Sequence, residues 1–112
     1  MVNEKTIVGL TEKVKINGHE VTAKIDTGSS RSSIDMDLAS KLRLGPIVKK
    51  SVVVSAHGRS VRPVIKVKLE VGGRKFNVFF NVIHRGHMRY KVLLGNNILK
   101  RRFLIDPSKG LE

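Results

Sequence analysis

The chain has no cysteine and no tryptophan, one tyrosine (Tyr90), four phenylalanines and only nine acids against twenty-two Lys and Arg. Each shortage excludes something. Without cysteine there is no disulfide framework and no thiolate metal site, so cysteine usage leaves the redox compartment open. With so few aromatic rings, no stacking platform of the kind that grips single-stranded nucleic acid is in view. The longest mainly apolar stretch, Phe76 to Ile83, is interrupted by Asn77 and Asn81 and is too short to span a bilayer, so no membrane partner is expected. The opening residues Met1-Val2-Asn3-Glu4-Lys5 lack a secretory h-region, which makes a cytoplasmic location the expectation. Leu111-Glu112 reads as a vector-derived tail on a single domain of residues 1–110.

What is present is a basic, aliphatic chain of 112 residues, carrying +13 at pH 7. That charge asks for an acidic partner. Its bases are scattered: Lys13 and Lys15, then Lys66 and Lys68, alternate with apolar residues as on the solvated face of a strand. Most of the chain reads as strand. Lys5–Leu10, Glu12–Ile16 and Glu20–Asp26 are β-branched or alternating, and Asn17-Gly18 is a two-residue hairpin signal. Ser29 to Ser33 reads as a polar loop, and Asp35 or Asp37 as the cap of a short helix through Leu42. A long hairpin follows, Val48 to Ala56 and Val61 to Val71 around a turn at His57-Gly58-Arg59-Ser60, and then a strand from Lys75 to Ile83. Val92–Leu94 reads as a short buried strand, Asn96–Arg102 as a helical turn, and Phe103–Asp106 as a closing strand. The fold class is all-β with one or two short helices.

Two segments carry chemistry. Ala23-Lys24-Ile25-Asp26-Thr27-Gly28-Ser29 ends an apolar strand in a carboxylate, and a carboxylate placed there is costly unless neighbours stabilise it or it shares a proton. Val92-Leu93-Leu94-Gly95-Asn96-Asn97 is apolar, then glycine, then a polar pair opening a helix. Together, with a hairpin of flap length between them, these resemble the two halves of a retropepsin-like aspartic protease. Gly95 suits a strand passing under the Asp26 loop, where a Cβ would hold the two backbones apart.

The stretches Ser55-Ala56-His57-Gly58, Arg62-Pro63-Val64 and Phe103-Leu104-Ile105-Asp106-Pro107-Ser108 bring the chain closer to one group: the small retropepsin-like proteins often labelled "ATP-dependent zinc protease", found near ATP-grasp ligases that add glutamates to proteins. The resemblance implies a retropepsin-type acid-protease barrel with a flap hairpin, aspartic peptidase chemistry and a glutamate-rich substrate. By the same resemblance, Asp26, Thr27 and Gly28 are the catalytic loop. Ser29, Ser30, Arg31, Ala56, His57 and Gly58 are expected to contact substrate. Leu93, Leu94, Gly95, Asn96 and Asn97 are expected beneath the loop. The label itself finds no support in the residues. There is no Gly-x-x-x-x-Gly-Lys-Ser/Thr phosphate loop, and His84 and His87 stand three apart between arginines, so neither a cofactor nor a metal is expected.

Aspartic peptidases need two carboxylates sharing one proton, and this chain supplies one suitable Asp. The expectation is therefore a homodimer with Asp26 from each copy, a bell-shaped pH profile, and acidic substrates drawn by the charge and by Arg31. The resemblance also carries two departures: Asn96 and Ser30 stand where viral retropepsins usually hold an Arg and an acid in an ion pair. Two other readings are a non-catalytic basic module that holds an acidic protein or ribosomal RNA, with nucleic acid the less favoured partner, and a metal-dependent hydrolase using His84 and His87.

Overall fold

A computed structural model describes residues 4–110; Met1, Val2 and Asn3 and the Leu111-Glu112 tail lie outside the described residues. Nine strands and two short helices follow in the order β1 (Thr6–Val8), β2 (Thr11–Ile16), β3 (His19–Ile25), β4 (Ser33–Asp35), α1 (Met36–Lys41), β5 (Ile47–Ser55), β6 (Gly58–Val71), β7 (Arg74–Ile83), β8 (Val92–Leu94), α2 (Asn96–Leu99) and β9 (Phe103–Ile105). The main sheet runs β2-β3-β8-β4-β7-β6-β5, and a further pairing of β2 with β6 closes its first six strands into a barrel. The architecture is mostly β, a closed six-stranded barrel with two short helices, as the sequence reading expects.

Local chemistry explains the closures. Asn17 and Gly18 both take positive φ, 48° and 87°, the conformation a two-residue hairpin needs. The same Asn17 seals the barrel: its N–H donates to the Lys68 carbonyl, and its Oδ1 accepts the Lys68 N–H, both at 2.9 Å. Gly72 and Gly73, also at positive φ, turn β6 into β7. Along β6 the inward positions Ile65, Val67, Leu69 and Val71 are buried, and they meet Val14, Ile16, Val78 and the fully buried Phe80 in an aliphatic core. β1 and β9 form a separate parallel pair. Arg74 fastens it to the barrel, its guanidinium 4.7 Å from the Phe76 ring and 4.8 Å from the Phe103 ring while Nη1 donates to Thr6 Oγ1.

Two boundaries move relative to the sequence reading, and one open choice is decided. The β5–β6 turn is Ala56-His57, with Ser55 opposite Gly58, so the expected turn at His57–Ser60 lies one to three residues too late. Gly58 opens β6 at a φ of 116°, a strand entry that glycine permits. Ser33 belongs to a buried strand rather than a polar loop, because β4 threads between β8 and β7. Of the two candidate caps, Asp35 caps α1, its carboxylate accepting the Leu38 N–H.

Candidate active site

The register of β3 on β8 creates the site. The two strands run parallel with Ile25 beside Leu94, so the chain delivers Asp26 and Gly95 to neighbouring positions as both strands end. Asp26 N–H donates to the Leu94 carbonyl at 3.0 Å. Its side chain folds back over the loop, Oδ1 accepting the Gly28 N–H at 2.9 Å. Asp26 is partly exposed and Thr27 and Gly28 are exposed, so the loop presents an open face.

The second segment holds the loop from beneath. Gly95 leaves no room for a side chain: a Cβ there would lie 2.2 Å from the Arg31 carbonyl oxygen and 2.7 Å from that of Ser29. This close approach lets Asn96 N–H reach the Ser29 carbonyl at 2.8 Å and Asn97 N–H the Ser30 carbonyl at 3.1 Å. The Asn96 carboxamide donates to the Thr27 carbonyl at 2.8 Å. Asn96 thus grips the loop backbone itself instead of reproducing a side-chain pair with Ser30. A polar relay completes the support. Gly95 N–H donates to Ser32 Oγ at 2.8 Å, the Ser32 hydroxyl donates to Asn97 Oδ1 at 2.7 Å, and Asn97 Nδ2 reaches the Phe79 carbonyl. Ser32, 1% exposed, was invisible as a support residue in the sequence, because only this relay makes a buried serine favourable. Leu93 and Leu94 are buried behind it.

Between the Asp26 loop and the β5–β6 hairpin lie two adjoining cavities of about 320 and 180 Å3. Ser30, Arg31 and Asn81 line both; Lys49 and Phe79 belong to the larger, Ser29, Val53 and Arg62 to the smaller. Three of these side chains are cationic and none is acidic. Lys49 Nζ sits 4.1 Å above the Phe79 ring. Arg31, expected to contact substrate beside the loop, is tied across to the β5–β6 hairpin: Nη1 donates to the hydroxyl of Ser51 on β5 at 2.7 Å. The Ser29 hydroxyl donates to the Arg31 carbonyl at 2.7 Å and stiffens the same turn. The loop and the β5–β6 hairpin therefore join near Ser51. The tip residues Ala56, His57 and Gly58 are exposed, and the tip's hydrogen bonds are local, His57 N–H to Ser55 Oγ and Ser55 Oγ–H to the Gly58 carbonyl.

The 84–91 segment is arranged around a second carboxylate. Buried Asp35 accepts the Arg85 N–H at 2.7 Å, and its own N–H donates to the Lys91 carbonyl. Burial pushes the Asp35 carboxyl upward, but the N–H groups of Arg85 and Leu38 and the Lys91 ammonium outweigh it and hold it below the usual carboxylate range. Burial likewise draws the Arg85 guanidinium below its usual range, opposed by the negative charges of Asp26 and then Asp35. Arg85 is thus a buried cation whose field reaches Asp26. His84 and His87 are exposed on this segment, and among the described residues no group of three or more His, Cys, Asp or Glu side chains converges as a metal site would require.

The glycine-held aspartate at a strand end and the Gly95-Asn96-Asn97 segment from which its loop hangs both lie within residues 12–98, the span matched by a family model described as "Aspartyl protease". The chain belongs to the aspartyl protease family. No curated protein sequence matches this aspartyl protease chain. Among solved structures, it is similar to a Legionella pneumophila protein of unknown function at 20% identity and a TM-score of 0.69, over 95% of this chain and 96% of that one. It is similar to EIAV protease bound to an inhibitor at 19% identity and a TM-score of 0.66, over 88% of each chain. It is also similar to the simian foamy virus protease at 17% identity and a TM-score of 0.63, over 80% and 91%. At these identities the likeness is one of fold. No helix among the described residues is long and apolar enough to cross a membrane.

Proposed function

We propose that this aspartyl protease chain is a homodimeric peptidase in which Asp26 of two copies forms the catalytic pair and acidic or glutamate-rich polypeptides are the substrates. The observation that carries the reading is the Asp26 loop itself. A partly exposed carboxylate is oriented by the Gly28 N–H on a loop whose outer face is open and whose inner face is fixed by Asn96 and Asn97. One carboxylate cannot both activate water and protonate the scissile carbonyl, so a second copy supplies the other. In the dimer one Asp26 draws the proton from water while the other, protonated, polarises the carbonyl. Thr27 braces the two loops, and the β5–β6 hairpin closes over the substrate with Ala56, His57 and Gly58 at its tip. The cleft walls carry Arg31, Lys49 and Arg62, which favour carboxylate side chains and disfavour basic ones.

The test pairs sedimentation with cleavage of a peptide library by wild type and Asp26→Asn. The expected result is a concentration-dependent dimer whose turnover is lost in Asp26→Asn, survives a chelator, and favours Glu-rich over Lys-rich peptides at low salt. Cleavage by a species that stays monomeric would overturn the shared dyad. Activity that needs added zinc would transfer the chemistry to other residues. Binding of acidic protein or ribosomal RNA, unchanged in Asp26→Asn and without turnover, would favour a non-catalytic module.

A further inference from the structure

The outer face of the flap base carries a cationic strip that this mechanism does not use. On β6, Lys66 and Lys68 alternate with buried Ile65, Val67 and Leu69, so both ammonium groups stand on the solvent side. The register places Lys66 opposite Phe79 and Lys68 opposite Asn77 on β7. Phe79 is 41% exposed, and Lys49 covers its ring. Lys49 and Phe79 also line the larger cleft cavity together with Arg31. The strip therefore begins inside the cleft at Arg31 and continues without a break through Lys49 and Phe79 to Lys66 and Lys68. Lys13 pairs with Glu20 on the β2–β3 hairpin, whereas among the described residues Arg31, Lys49, Lys66 and Lys68 have no carboxylate within ion-pair distance.

Like charges this close repel one another, and an anionic chain laid along them relieves that repulsion. Residues two apart on a strand stand roughly 6.8 Å apart, the spacing of alternate side chains on an extended peptide. We propose that the strip is an exosite that holds an extended acidic stretch of the substrate polypeptide as it runs outward from the cleft. This rests on the peptidase reading and adds where the uncleaved part of the substrate lies. A polypeptide fits better than single-stranded nucleic acid because the strip is continuous with a peptide cleft and Phe79 is its one exposed ring, too few for successive bases to stack. The strip acts on capture and leaves the bond-breaking step alone.

The experiment uses peptides with one cleavable core, bare or extended by six Glu or six Lys on either side. The enzymes are wild type, Lys66→Glu/Lys68→Glu, and the control Lys41→Glu/Lys109→Glu, which changes net charge equally but on α1 and the C-terminal segment. Direct binding is read by fluorescence anisotropy in an Asp26→Asn background, with melting curves for every variant. On one side of the core, the Glu extension is expected to lower KM about tenfold at low salt, an effect that fades as salt screens it. The strip variant should erase that gain and leave kcat on the bare core unchanged, while the control keeps it. Equal losses in the strip and control variants would overturn the exosite in favour of a general field. So would a single-stranded RNA of equal charge that binds more tightly than the Glu peptide through the same two lysines. If no core is cleaved, the peptidase reading fails, and anisotropy still decides whether Lys66 and Lys68 hold an acidic chain.

Discussion

Gly95→Ala is the most direct perturbation of the Asp26 loop that leaves the loop's own sequence intact. The new Cβ would stand 2.2 Å from the Arg31 carbonyl oxygen, where ordinary contact begins at 3.4 Å, so one backbone must withdraw by about 1 Å. Neither can do so cheaply. The Asn96 N–H bond to Ser29 and the Asn97 N–H bond to Ser30 cross this same gap, at 2.8 and 3.1 Å, and such a withdrawal stretches both beyond hydrogen-bonding range. Overpacking costs about 1–3 kcal/mol and each lost bond about 1 kcal/mol, which together give about 3–5 kcal/mol. For a chain of this size that is a fall in Tm of about 12–20 °C, measured by calorimetry at one fixed protein concentration because dimerisation also shifts Tm. Two other glycines make the comparison discriminating. Gly73→Ala meets nothing within 4 Å and carries only the strain of its φ of 80°, about 1 kcal/mol. Gly28→Ala puts a Cβ 3.2 Å from Asp26 Oδ1, so it should lower turnover with little change in Tm. A Gly95→Ala variant that melts within about 3 °C of wild type and keeps its turnover would refute the claim that close backbone contact holds the loop.

Three further outcomes are expected. Asp35 is held below its ordinary value of 3.8, so its contribution is complete above that pH and is lost as pH falls below it; Asp35→Asn should cost about 1–2 kcal/mol at pH 7, with a gap to wild type that narrows in acid denaturation series. Asn96→Ala removes the carboxamide that holds the Thr27 carbonyl, and should lower kcat on a Glu-rich peptide about tenfold while Tm moves by only a few degrees. Arg74→Ala removes contacts to both Phe76 and Phe103 and should lower Tm by about 4–8 °C, whereas Arg74→Lys, unable to cover two rings with one plane, recovers only part of that.

How far the sequence disclosed this molecule depended on whether the determining contact was local. Asn17-Gly18 names its own turn, because positive φ at both positions is a property of those two residues. The buried strand Val92–Leu94 and the loop after Ile25 were legible for the same reason: an apolar run ending at a glycine or an acid is a short-range pattern. The pairing of the two segments was legible only through resemblance, and the register that sets Asp26 beside Gly95 is a tertiary fact. Ser32 and Ser33 read as polar loop because a serine's burial depends on what accepts and donates around it. Here Ser32 lies between Gly95 and Asn97, more than sixty residues away in the chain.

The same logic separates two arginines. Arg31 is visible as a cation beside the Asp26 loop, yet nothing local foretells that one arm is committed to Ser51 on β5. That bond changes what Arg31 can do. An arginine free in solvent only adds to the field around the cleft; one anchored through Nη1 presents its remaining donors from a fixed position, which is what discrimination between carboxylate-bearing side chains requires. Arg85 was unremarkable in the sequence, one of several bases in a turn. Its importance arises from burial, which places an unsolvated positive charge within the field of Asp26 and makes that charge depend on Asp35, the residue that holds its backbone. The loop beyond β7 thus ties the cap of α1 to a buried cation. A substitution at Asp35 is therefore expected to release the Arg85 N–H as well as to weaken the helix it caps, read as faster hydrogen exchange at Arg85 and Leu38.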